Sequence, residues 1–312
     1  MASVPYEIIA ASKPFRFLVG PDKKEFFMNA ELVARMSKPL WTLVNGEWME
    51  GNEGFTEWPD VDEGTFVRFC EFAYTGDYKA AEPFEDTPTP PNEKESGEAT
   101  ASTSGPAPNG EQIIEEASAQ ELIVTHSAYG ELPVDSYDPY AMKKYKKKKG
   151  LVFVEEPEEP PQPPPPSKKD IIWREFQEEI NDEPDRRVKE TSNKAPSANY
   201  SEVLLSHARL YTFADCYDID RLMELSIRKL HRTLTVFNLH KGARVTDIAQ
   251  LIDYSYRNTM DKGDKQDQLR SLLATYTACN IEEMWPNFYF QDVLESADVS
   301  KAIIGQLLRR VN

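Results

Sequence analysis

An α+β fold is predicted for this chain of 312 residues, followed by an all-helical extension. Three observations carry the prediction. Phe15, Phe17 and Val19 alternate with Arg16 and Leu18, the period of two that a half-buried strand requires. From Tyr200 onward, apolar residues recur at helical spacing instead. Between the two patterned regions lies a stretch that holds 17 of the 23 prolines.

The elements follow in order. Gly20-Pro21-Asp22 suits a turn, since proline fits its second position and aspartate tolerates its geometry. Glu25 to Met28 then reads as the return strand of a hairpin. Asn29 can cap a helix whose Leu32, Val33 and Met36 fall at helical spacing. Ser37 and Pro39 end that helix and start another, with Leu40, Trp41 and Val44 on its apolar face. After a third strand, Asp62 caps a helix striped by Phe66, Phe69, Cys70 and Ala73 and closed by Gly76. Beyond Tyr200, Leu204, Leu205, Ala208, Tyr211 and Ala214 make one stripe. A turn at Asp218 leads to a second, Ile219, Leu222, Ser226, Leu230 and Leu234. Further helices are expected from Val245 to Tyr256, around Leu269 to Tyr276, and from Val299 to Val311.

Residues 79–199 carry 25 acidic and 15 basic side chains among many prolines. Such a composition cannot repay the entropy of ordering, so the stretch is read as a disordered insertion. Closing a long loop costs only a logarithm of its length. The flanks, 13–78 and 200–235, can therefore form one discontinuous domain, with 236–312 as the helical extension. Inside the insertion, Ile172, Trp173, Phe176 and Ile180 share one face of a short helix from about Asp170 to Ile180. A helix this short is marginal alone, so it docks on the core or binds a partner. Lys143, Lys144, Lys146, Lys147, Lys148 and Lys149 read as a nuclear localisation signal, a patch for an anionic ligand, or a solvated charge run. The run Glu158 to Pro166 favours polyproline II, either a docking motif for an aromatic groove or a stiff spacer.

Charge and composition exclude several classes. A net charge of −17 disfavours general affinity for nucleic acid or anionic membrane. No run approaches the ~20 apolar residues of a membrane span, and the N-terminus shows no secretory signal. An intracellular protein is expected, in the nucleus or cytoplasm or both. Cys70, Cys216 and Cys279 are too scattered for a disulfide framework or structural zinc. His126, His207, His231 and His240 lack metal-ligand spacing, His207 and His231 falling within helical stripes. With no nucleophile elbow, phosphate loop or dinucleotide fingerprint, neither catalysis nor a cofactor is expected. Trp41, Trp48 and Trp58 read as core residues.

The order and spacing of several short pieces resemble the BTB/POZ domain, in its divergent fungal branch. They are Phe17-Leu-Val-Gly20, Lys24-Glu-Phe26, Ser37-Lys-Pro39, Leu43-Val-Asn-Gly46, Met49-Glu50, Val61-Asp62 with Thr65-Phe66, and Tyr74-Thr-Gly76. After the insertion come Ala208-Arg-Leu-Tyr211, Ala214-Asp-Cys-Tyr217, Asp220-Arg-Leu222 and Leu230-His231. The likeness spans residues 13–78 and 200–235. It implies a small mixed sheet flanked by helices, and a non-catalytic interaction module that forms homo- or hetero-dimers and recruits protein partners. The resemblance places a dimer surface at Leu32, Met36, Leu40 and Leu43, some of which must face the domain's own core. Where the family often has a histidine at the first helix, this chain has Asn29. Some members engage a cullin-type ubiquitin ligase through a hydrophobic-x-acidic motif. The nearest register here is Ser206-His207-Ala208, which lacks both features, while Tyr200-Ser201-Glu202 has the pattern slightly upstream. A ligase substrate adaptor is thus one alternative. A nuclear transcription or chromatin co-regulator, suggested by the lysine run alone, is another.

Overall fold

A computed structural model describes residues 5–46, 54–85, 166–178, 192–263 and 265–311. Pro5 introduces a short helix that no periodicity in the sequence announces, α1 (Tyr6–Ala11), which lays Ile9 into the core. The expected hairpin follows as β1 (Pro14–Val19) and β2 (Lys24–Asn29). Its turn is closed by the Lys23 amide donating to the Gly20 carbonyl, with Gly20 at φ 73°. Two short helices, α2 (Ala30–Ala34) and α3 (Lys38–Asn45), lead to β3 (Phe55–Trp58) and α4 (Glu63–Thr75). β1 lies in the centre of the sheet, antiparallel to β2 and parallel to β3. Its inward residues Phe15, Phe17 and Val19 meet Trp58, Phe66 and Phe69 in a dense aromatic core.

The caps are local chemistry that the sequence mostly foretells. Ser37 accepts from the Leu40 amide and Asp62 from the Thr65 amide, each satisfying a first-turn donor. Gly76 ends α4 in the left-handed region at φ 78°, where a side chain would be strained. Asn29 differs from expectation. It precedes α2, but the Ser12 hydroxyl accepts from the Glu31 amide, while the Asn29 carboxamide oxygen accepts from the Tyr74 hydroxyl at 3.1 Å. Trp41 also departs, standing 54% exposed beside the buried Leu40.

Three pieces of the 79–199 stretch, 79–85, 166–178 and 192–199, belong to the folded body. A helix, α5 (Lys168–Glu178), buries Ile172 and Phe176, so the docking alternative is the one realised. Trp173 stacks on Phe176 and both rings reach Tyr276. A two-residue antiparallel pairing of β4 (Phe84–Glu85) with β5 (Ala198–Asn199) ties the banks of the insertion together.

The remainder is helical: α6 (Ser201–Cys216), α7 (Asp220–Val236), α8 (Val245–Asn258), α9 (Gln268–Met284), α10 (Phe288–Val293) and α11 (Ala297–Val311). Asp218, at φ 56°, makes the turn between α6 and α7. α9 outruns its expected span, and α10 was not legible as a separate helix. Residue 235 marks no boundary. Leu204, Ala208 and Tyr211 of α6 and Leu230 and Leu234 of α7 share one core with Ile248, Leu251 and Leu273. Leu210, Phe213 and Leu222 of the same two helices belong to the aromatic core around the sheet. α6 therefore has no solvent stripe: eleven of its sixteen residues are buried. The described residues form one compact α+β unit, and none of their helices is long and apolar enough to cross a membrane.

Candidate interaction surface

The four side chains expected at a dimer surface divide. Leu32 and Leu40 are almost wholly buried in the aromatic core, because the inward faces of α2 and α3 carry them onto it. They are unavailable to a partner. Met36 and Leu43 are half-buried and pack against that core from its edge. The outward side of the same helices offers Trp41, and nearby elements offer Phe27 of β2 at 60% exposure and Tyr74 of α4 at 54%. A rigid aromatic with a polar edge gives contact area at small entropic cost. Tyr74 is held by its hydrogen bonds to Asn29, so it is presented in one orientation.

A groove of about 280 Å³ begins here, between Arg35 and Met36 at the end of α2, Tyr74 to Gly76 at the end of α4, and Ile219 and Arg221 at the start of α7. It continues into a second cleft of about 180 Å³ with Phe72 and Leu225 at its apolar side and Arg221, Arg228 and Arg232 along α7.

A buried polar cluster fixes α7 behind this groove. Lys229 donates to the Tyr78 carbonyl at 2.5 Å and forms an ion pair with Asp77. Its ammonium also lies 4.4 Å from the Tyr78 ring centroid. The Tyr78 hydroxyl meets His207 Nδ1 at 2.7 Å. Burial, then the nearby Lys229 and Arg68 charges, pull the His207 imidazole down to about 3, so at neutral pH the ring is uncharged. Burial likewise pushes the Tyr78 phenol far above its ordinary value. The Cys70 thiol is pushed up to about 12 by burial, which keeps it protonated and unreactive at neutral pH. His207 and His231 are thus buried packing residues, and His231 Nε2 contacts the Phe176 carbonyl at 2.5 Å, holding α5 in place.

The hydrophobic-x-acidic candidate is not presented as a recognition motif. Tyr200 is 4% exposed, its amide donating to Asp247 and its ring against Phe237. Glu202 is engaged by a two-pronged pair with Arg209 at 2.7 and 3.2 Å. The lysine run from Lys143 to Lys149 lies outside the described residues, as do the polyproline stretch and Trp48. Among the described residues, no group of three or more His, Cys, Asp or Glu is arranged to hold a metal ion. Sequence reasoning passed over a second exposed set, Trp285, Phe288 and Tyr289, at 57, 81 and 39%. Its signal was the run Trp285 to Phe290, which crosses from the end of α9 into the first turn of α10 and is pinned there by the Asn287 cap.

No family model matches the chain, and searches of curated proteins and of solved structures return no significant match.

Proposed function

We propose that the chain is a non-catalytic interaction module of BTB/POZ type, which associates with a second copy of itself through the outer faces of α2 and α3. The observation that supports this most is the order and pairing of the elements. A central β1 runs antiparallel to β2 and parallel to β3, two short helices intervene, and a helical pair from beyond the insertion completes the core. Trp41, with half-buried Met36 and Leu43 nearby in sequence, supplies an apolar centre of the kind that interfaces concentrate. Light scattering at micromolar concentration is expected to give twice the monomer mass. Trp41→Glu should return it to the monomer without changing far-ultraviolet circular dichroism. A wild-type chain that is monomeric throughout that range would remove self-association from the proposal. A dimer untouched by Trp41→Glu but broken by Phe288→Glu would move the interface to the C-terminal helices.

A further inference from the structure

We infer that the arginine-lined groove along α7 receives an acidic, extended peptide segment of a partner protein. This deepens the interaction-module reading and rests on it, though not on self-association.

Arg221, Arg228 and Arg232 stand at positions i, i+7 and i+11 of one helix, which at 3.6 residues per turn places all three on one face. All three line the same cleft, and Arg221 also lines the adjoining groove together with Arg35. Among the described residues, no carboxylate pairs with Arg35, Arg221 or Arg228. The other charges at the site are few. Glu224 sits on the wall of the cleft, and Lys229 at its base is already matched to Asp77. A chain of net charge −17 thus keeps the Arg221 and Arg228 guanidinium groups beside an apolar wall of Phe72 and Leu225, while Arg232 is already engaged within the fold.

That combination selects the ligand class. Guanidinium groups recognise carboxylates in a two-pronged geometry that lysine cannot match. Long polyanions, nucleic acid or an anionic membrane, would meet the acidic remainder of the molecule, whereas a short segment samples only the field within a screening length of about 8 Å. The apolar wall takes side chains between the acids. Spacing follows from helix rise. Arg221 and Arg228 are about 10 Å apart along the axis. An extended peptide rises about 3.3 Å per residue and turns alternate side chains to the same face, so acids on one face recur about every 6.6 Å, and the pattern Glu-x-Glu-x-Glu with leucines between spans the distance from Arg221 to Arg228.

The probe is a fluorescein-labelled synthetic peptide of that pattern, titrated against the full chain by anisotropy, with light scattering on the same samples. Micromolar binding is expected at 50 mM salt, weakened about tenfold or more in 500 mM salt and for the peptide with glutamine replacing glutamate. Arg221→Glu with Arg228→Glu should abolish it and confer binding to the matching lysine peptide. Arg221 is exposed and Arg228 half-exposed, so the variant is expected to retain its wild-type melting temperature. Should the variant unfold, Arg221→Gln with Arg228→Gln carries the same test. Binding that survives both double substitutions overturns the inference. So does a full chain that ignores the peptide at low salt, whether its own glutamate-rich stretches fill the groove or nothing does. Peptide binding by a strictly monomeric chain supports the groove while removing self-association, so the two readings fail separately.

Discussion

Around the sheet, Phe17, Trp58, Phe66, Phe69 and Phe213 touch ring to ring, with centroids 4.8 to 6.5 Å apart. Around α8 and α9 the packing is mostly aliphatic: Leu204, Ile248, Leu251, Ile252 and Leu273, interleaved with Ala208, Ala249 and Ala274. The difference is one of geometry. β1 has only three inward positions, so each must carry a large side chain to fill the space between sheet and helices. Helices instead meet along ridges spaced by three and four residues, and small residues let their axes approach. The two cores also differ in their polar fastenings. The aromatic core is sealed at its edge by Tyr78, His207 and Lys229. In the helical core, Tyr211 donates to Asp267 at 2.7 Å, and the buried Arg270 guanidinium holds the Tyr256 and Thr259 carbonyls.

Because α6 and α7 contribute to both, the two cores should melt together. Phe66→Ala and Leu251→Ala, one in each core, are each expected to cost about 3–5 and 2–5 kcal/mol respectively, and to lower one shared calorimetric transition. Two separated transitions, each sensitive to one substitution only, would break the comparison into independent domains. Leu40→Glu belongs to the same class: it should unfold the chain rather than merely dissociate a dimer, since Leu40 has no exposed surface.

Phe176→Ala comes next, at about 3 kcal/mol. It tests whether α5, reached only through the long polar stretch, is a working part of the helical core. Denaturant midpoints unchanged by this substitution would return α5 to the insertion.

Acid should act on the aromatic side. His207 in the fold holds its proton only below about 3, against an ordinary value of 6.5. The unfolded chain therefore binds the extra proton first, and stability falls as pH drops from 6.5 toward 3, then levels off. At pH 5 the loss from this group is about 2 kcal/mol. His207→Gln should flatten that slope, and an unchanged slope would place the acid sensitivity elsewhere. The smallest effect is Asp62→Ala, about 1 kcal/mol for the lost cap on α4, readable as a small shift in melting temperature.

Much of this was legible because it is local. The β1 alternation, the Ser37 and Asp62 caps, the Gly76 stop and the Ile219 to Leu234 stripe each depend on residues within a few positions of one another. Others were not legible. Asn29 resembles a cap in sequence, yet Tyr74, distant in the chain, takes its side chain, and Ser12 caps in its stead. Trp41 fits a helical apolar stripe, but the core beneath α3 ends at Leu40 and Val44. The groove along α7 drew no attention in the sequence, because its arginines become a site only when the end of α4 supplies the facing wall.

By itself, the sequence determined the periods: where the chain can be strand and where helix. Tertiary structure alone decided which face of each element is inside. It turned Leu32 and Leu40 inward and Trp41 outward, drew α5 and Tyr200 into the body, and made α6 a wall between two cores. Periodicity is a property of neighbours along the chain, whereas burial depends on what arrives from far away.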